Sequence, residues 1–247
     1  MKALTRHGIA PLAALFAGLV TTVAASAQSE NGGALGVKPF RGTYSVEYRG
    51  IRAGTIDFVL RQSNGRYIYE SIVHPRGLAR IVIDDALREA SEFIVENGAI
   101  KPQSYELDDG SKSTADDTRL KFDWAANKAS GMHENRAIEL PLSPGVQDRM
   151  SVQVVVMQQL AADKPLDKLT FIDRDELKEY SYVRVREETL KTKVGDIHTV
   201  VYLSSRPGSN RVSRLWYAPS LGFAPVRGEQ ERKGKVETVF EIQKLER

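Results

Sequence analysis

From Phe40 onward, apolar and polar side chains alternate with a period of two. Tyr44, Val46 and Tyr48 share one face, and Ile56, Phe58 and Leu60 share another. Such alternation predicts half-buried antiparallel strands. Asn64-Gly65 and Asn97-Gly98 sit where hairpins must reverse, because both central residues of a tight hairpin turn need positive φ. The pattern resumes after residue 165 in LTFID, YSYVRVREETLKT, GDIHTVVYLSS, RVSRLWYA, FAPVRGEQER and KVETVFEIQKL. Ten to twelve strands are expected. The polar run 108–117 reads as a hairpin tip, and Leu78–Ile83 as a short helical or irregular bridge. Pro102, which lacks a ladder donor, fits only near a strand start or on a sheet edge.

One stretch breaks the period. In GVQDRMSVQVVVMQQLAA, Met150, Val154, Met157 and Ala161 recur at helical spacing, and Val152, Val155 and Val156 widen the stripe. β-branched residues are mediocre helix formers, so a buried strand over 152–157 competes. The continuation through Gln158, Gln159, Leu160 and Ala161 favours a helix. Asp148 then suits its start, accepting backbone N–H groups at the positive end of the dipole. Arg149 is placed to lie over the sheet and pair with a strand carboxylate. A catalytic or ligand-mouth role for the two is the alternative.

The order strands, one helix, strands excludes a parallel βαβ architecture, which needs a crossover helix between most strands. The expected fold is mainly β: a strongly curved antiparallel sheet, an incomplete β-barrel plugged by a helix, forming a single domain over 40–247. Residues 28–39 are polar and glycine-rich and read as a flexible N-terminus. The first 27 residues read as a secretory signal peptide: Lys2 and Arg6, an apolar segment, then Ala25 and Ala27 at cleavage spacing. A periplasmic protein with no membrane anchor after cleavage is expected.

The chain carries 35 basic and 32 acidic residues, and the leader removes Lys2 and Arg6, leaving a balance of +1. The bases alternate with acids along the chain, which argues against a nucleic-acid partner. There is no cysteine, so neither disulfides nor thiol chemistry arise.

No candidate catalytic motif emerges. His74, His133 and His198 lack metal-ligand spacing, and no cofactor or metal is expected. Asp57, Glu70, Glu89 and Glu92 alternate with apolar residues and read as solvated outer-face positions. Trp216, Tyr217 and Phe223 surround Pro219 and Gly222, with Pro225 following. They read as a strand-turn-strand corner or as the rim of an apolar cavity.

Short motifs in order carry a resemblance. They are Tyr44-Ser45-Val46 with Ala53-Gly54, Ile100-Lys101-Pro102-Gln103-Ser104-Tyr105, Phe122-Asp123-Trp124, Val146 to Ser151, Thr192 to Gly195, Leu215 to Pro219, and Pro225-Val226-Arg227. From Phe40 to Leu245 the chain resembles the bacterial envelope proteins of domain-of-unknown-function family 3108. Ala53 departs from the Val common before that glycine, which changes one packing volume. The resemblance marks Asp148, Pro102, Trp124, Gly195, Pro219 and Pro225 as structural positions. It implies no agreed activity, and a fold like the Lol lipoprotein carriers and receptors, whose curved sheet is plugged by helices.

The expected function is binding of a lipid or other hydrophobic envelope molecule. Met150, Val154 and Met157 would form lid and wall, Trp216, Tyr217 and Phe223 the mouth, and Arg149 or Arg227 would meet an anionic head group. The alternatives are an envelope interaction or scaffold protein with a solid core, and a hydrolase of envelope polymers.

Overall fold

The computed structural model describes residues 35–77, 86–111 and 117–247. The alternating segments become an up-and-down series: β1 (Phe40–Tyr48), β2 (Ile51–Ser63), β3 (Arg66–Pro75), β4 (Leu87–Glu96), β5 (Ala99–Asp108), β6 (Thr118–Asp123), β7 (Lys128–His133) and β8 (Arg136–Pro141). Each pairs antiparallel with the next. The Asn-Gly hairpins adopt the required geometry, with φ of 51° and 77° at Asn64 and Gly65, and 52° and 79° at Asn97 and Gly98. Arg49-Gly50, Lys233-Gly234 and Glu134-Asn135 also place both turn residues at positive φ.

Residues 142–146 then carry the chain to β9 (Gln147–Asp148) and α1 (Ser151–Ala161). The return series is β10 (Lys168–Asp173), β11 (Glu176–Thr192), β12 (Gly195–Ser205), β13 (Arg211–Ala218), β14 (Ala224–Arg232) and β15 (Lys235–Glu246). β15 pairs with β1, so the first and last described strands meet at the middle of the sheet. Among the described residues all 15 strands form one sheet, in the order β8-β7-β6-β5-β4-β3-β2-β1-β15-β14-β13-β12-β11-β10-β9. Only β9–β10 is parallel.

This topology forces curvature. The two edges, β8 and β9, are joined by residues 142–146, which span at most roughly 20 Å. A flat sheet of this width could not bring its edges so close. The sheet is rolled and open, and it does not close into a barrel.

The inner face holds the core. Tyr44, Phe58, Leu60, Tyr69, Phe93, Val95, Val226 and Ile242 are buried there. Rings interlock: Tyr44 meets Phe58 edge-on at 5.3 Å and Phe240 at 5.6 Å, and the Tyr44 hydroxyl donates to the Pro225 carbonyl at 2.7 Å. Helix α1 buries Ser151, Val152, Val154, Val155, Val156, Met157 and Leu160, nearly all round its circumference. A helix apolar on every side is a core helix, which is why valines of poor helical propensity serve here.

Several expectations need correction. Among the described residues the strand count is 15, above the ten to twelve expected. Strand β8 was missed because, as a short edge strand, its alternation rests on only two half-buried apolar residues, Ile138 and Leu140. β9 was missed because it is two residues long. Leu35 and Val37 are buried in the core, so packed chain precedes Phe40. Pro102 lies on an interior strand, and β5 pairs with β6 only from Ser104 onward, so its missing N–H faces no neighbour. The bridge expected at 78–83 lies outside the described residues, as do 112–116 of the polar tip.

Gly54 shows how tightly the ladder is packed. Its φ is 155°, and a Cβ there would sit 2.1 Å from the His74 carbonyl oxygen. Backbone cannot yield as a flexible side chain can. Gly54→Ala is expected to lower unfolding free energy by about 1–3 kcal/mol, measured by urea denaturation with an unchanged m-value.

Candidate functional site

The edge strand β9 does not meet β8. It tucks against the inner face of β4 and β5, so the sheet ends overlap. The Gln147 side-chain amide donates to the Ile100 carbonyl at 3.0 Å. The Ser91 hydroxyl donates to Asp148 Oδ2 at 2.6 Å. Arg149 Nε donates to Glu89 Oε1 at 2.8 Å, and Arg149 Nη1 to Asp173 Oδ1 at 3.1 Å. Glu89 also accepts from the Tyr105 hydroxyl at 2.6 Å, and Lys178 Nζ lies 3.0 Å from Asp173 Oδ2. Three consecutive residues thus tie the last strand of one half to the inner face of the other.

Asp148 also organises the helix start. Its Oδ1 accepts the N–H groups of Met150 and Ser151, each at 2.8 Å, and its own N–H donates to Ser151 Oγ at 3.0 Å. The residue is fully buried. Burial pushes its carboxyl up to about 6, while the Ser91, Ser151 and Met150 bonds pull it back. Glu89, then Tyr105 and Asp173, hold the Arg149 guanidinium firmly charged. Burial alone would raise Asp173, but Arg149 and Lys178 outweigh it and hold the carboxyl below its ordinary value. Glu89, expected on a solvated outer face, is buried on the inner face. Its strand alternation was visible, but the phase was not, because a glutamate is facing the core. Asp57 is also buried, held by Arg41 and Thr43. Glu70 and Glu92 pair with Arg61 and Arg66 in exposed contacts.

Beside this overlap lies an open cleft of ≈ 450 Å³ between α1, residues 35–36, the β4–β5 hairpin and β10. Leu35, Ile100, Val155 and Leu169 supply apolar walls, and Gln147, Gln158 and Lys164 supply polar groups. Gln158 Nε2 donates to the Leu35 and Gly98 carbonyls, each at 3.1 Å. Sequence reading missed this cleft because its walls come from five separate segments.

The residues singled out by sequence do not converge. Met150, Val154 and Met157 are at most 1% exposed and pack in the core; they do not line the cleft. Trp216 is 3% exposed. Arg186, Arg214 and Arg227 stand 5.5–5.9 Å from its ring centre, and its indole N–H donates to Glu188 at 2.5 Å. Tyr217 is buried against Tyr202, and Phe223 is half-buried at a φ of 59° after a 3-10 turn begun by Pro219. Arg227 is taken up by Glu229 and Glu241. Trp124 stacks on Phe122 and donates to the Pro102 carbonyl at 2.7 Å, and Gly195 closes the β11–β12 turn at a φ of 113°.

A Thr118–His133–Glu134 row has hydroxyl, imidazole and carboxylate at 2.8 and 3.3 Å. Thr118 and His133 are 2% and 4% exposed, so no substrate reaches the hydroxyl. Asp108, Asp109 and Asp117 lie close together at the β5–β6 tip, with backbone N–H groups as partners.

An open, rolled, largely antiparallel sheet around one buried helix defines a β-barrel-like protein. The chain belongs to the family described as protein of unknown function DUF3108, whose profile matches residues 43–238. Among solved structures it is similar to a β-barrel-like DUF1849 protein from Brucella abortus, at 10% identity and a TM-score of 0.54, covering 85% of this chain and 98% of that one. It is less similar to a Parabacteroides distasonis protein described as a lipoprotein, at 10% identity, a TM-score of 0.37 and coverage of 85% and 96%. A Bacteroides fragilis exported protein with a YmcC-like fold gives 14% identity, a TM-score of 0.36 and coverage of 84% and 95%. No curated protein matches the chain. Among the described residues no helix is long and apolar enough to cross a membrane.

Asp148 predicts a pH signature. A carboxyl near 6 in the fold and near its ordinary value when unfolded binds its proton more tightly in the native state. Its neutral form therefore favours folding at low pH, and that contribution is lost as pH rises from about 4 to about 6. The loss is ~3 kcal/mol at most. Urea unfolding across this range is expected to show a downward slope in the native protein that is reduced in Asp148→Asn.

Proposed function

We propose that the protein is a non-catalytic periplasmic binder of a lipid or similar amphipathic envelope molecule, seated in the cleft beside the overlapping sheet ends. The cleft carries this reading. Its volume lies in the range of small-molecule sites, and its walls are mainly apolar with a few polar groups. Acyl carbons would lie on Leu35, Ile100, Val155 and Leu169. Met150, Val154 and Met157 would support that wall from beneath, as core behind Val155. Arg149 and Arg227 already hold two carboxylates each, so an anionic head group would meet Lys164, which forms no ion pair among the described residues. Trp216, Tyr217 and Phe223 would stiffen the wall of the fold. The signal-peptide reading supports the location, and the Lol-like fold that the family resemblance implies from sequence would suit the ligand class.

A second reading rests on the packed core around α1. An interaction protein with a solid interior would use the free edge of β8, where charged Arg136 and Glu139 and terminal Pro141 discourage indiscriminate pairing.

Native mass spectrometry of protein purified gently from its envelope tests the first reading. It should reveal one lipid-sized adduct, removed in Ala99→Trp, where a ring fills the cleft, without change in the melting temperature. Bare protein in repeated preparations favours the second.

A further inference from the structure

We infer that one end of the rolled sheet is a docking face for an anionic lipid bilayer, built from three neighbouring hairpin turns. The β1–β2, β12–β13 and β14–β15 turns come together because β1, β15, β14 and β13 are consecutive strands. Arg49 N–H donates to the Glu237 carbonyl at 2.6 Å, joining the first turn to the third. Lys233 N–H donates to the Asn210 carbonyl at 2.9 Å, joining the third to the second.

Charge concentrates there. Residues 47–52, 206–211 and 231–237 carry seven basic and three acidic side chains, a local charge of +4. Arg211 stands directly opposite Arg232 on one side, and Arg232 opposite Lys235 on the other. Like charges facing across a ladder oppose folding. Nothing in the fold requires a row of three cations on adjacent strands. An external anionic surface would relieve the repulsion. The acids offset it only in part: Glu237 is engaged by Arg49 at 2.6 Å, with Arg232 and Arg211 further off lowering its pKa, and Glu47 faces Arg52. Arg52, Lys233 and Lys235 form no salt bridge among the described residues.

The same tips expose apolar groups, which separates a bilayer from other polyanions. Tyr48 is 47% exposed, Ile51 65% and Val236 44%. These are among the most exposed large apolar side chains described, and all three sit among the cations. Arg49 lies over the Tyr48 ring at 5.1 Å. An aromatic and two aliphatic side chains flanked by Arg and Lys match a headgroup region, where rings and alkyl groups enter and cations stay with phosphates. A nucleic acid would use the cations and leave Ile51 and Val236 in water. The face is distinct from the cleft, so it stands whether or not a lipid occupies that cleft.

Vesicle flotation of the purified protein tests this. Vesicles of phosphatidylcholine with phosphatidylglycerol should bind it, and vesicles of phosphatidylcholine alone should bind it at least roughly tenfold more weakly, with the preference erased by high salt. Lys233→Ala with Lys235→Ala should weaken binding roughly twenty-five-fold, at about fivefold per cation. Ile51→Ser should weaken it severalfold with no change in heparin binding. All three substitutions lie at exposed positions in or beside the turns, and unaltered thermal melts would show that the fold is intact. Equal binding to both vesicle types overturns the proposal. So does vesicle binding that ignores the lysines. Heparin or DNA binding that is lost with the lysines, without vesicle preference, would mark a polyanion site and also overturn it.

Discussion

A sheet of 15 strands that never closes must be held rolled by something other than its own ladder. Here the burden falls on the three residues Gln147, Asp148 and Arg149, which bind the edge strand β9 to the inner face of β4 and β5. A closed barrel would satisfy its edges with backbone bonds. This fold instead uses side chains, and the carboxylates of Asp148, Glu89 and Asp173 are largely buried at the overlap and need partners. Ser91, Tyr105, Ser151 and Lys178 provide those partners.

The same tie positions the helix. Asp148 fixes the first backbone donors of α1 while anchored to β4, so the helix axis and the sheet overlap are set by one carboxylate. The helix then fills the rolled interior with valine, methionine and leucine. The cleft is a consequence of this design: where overlapping ends replace a continuous ladder, a gap remains between helix, hairpin and edge strand. Both surfaces proposed as binding faces are products of openness. One lies at the seam, and the other at strand ends where hairpin turns leave cations and apolar tips in solvent.

The fold class was legible in the sequence because it rests on periodicity. Alternation gave the strands, Asn-Gly pairs gave two turns, and the valine-rich stretch read correctly as a helix because its apolar residues ran past strand length. The partner of Arg149 was legible only as a type, a strand carboxylate, since a single sequence does not pair distant strands. Glu89 was assigned to the wrong face because a charged residue at a core-facing position reverses the expected phase. β8 escaped notice because the apolar side of this short edge strand is reduced to Ile138 and Leu140. The cleft and the basic face were out of reach for a common reason. Their residues are gathered from segments far apart in the chain, and linear charge alternation conceals a cluster that forms only when hairpin turns align.

The central claim is that side-chain ties across the overlap hold the sheet rolled. A double-mutant cycle between Arg149→Met and Glu89→Gln, followed by urea unfolding, tests it directly. The two substitutions should be coupled by more than about 1 kcal/mol, because Arg149→Met strands the buried Glu89 carboxylate and Glu89→Gln removes that charge. Additive effects within about 0.3 kcal/mol would mean that the pair sits at the overlap without holding it, and would contradict the account.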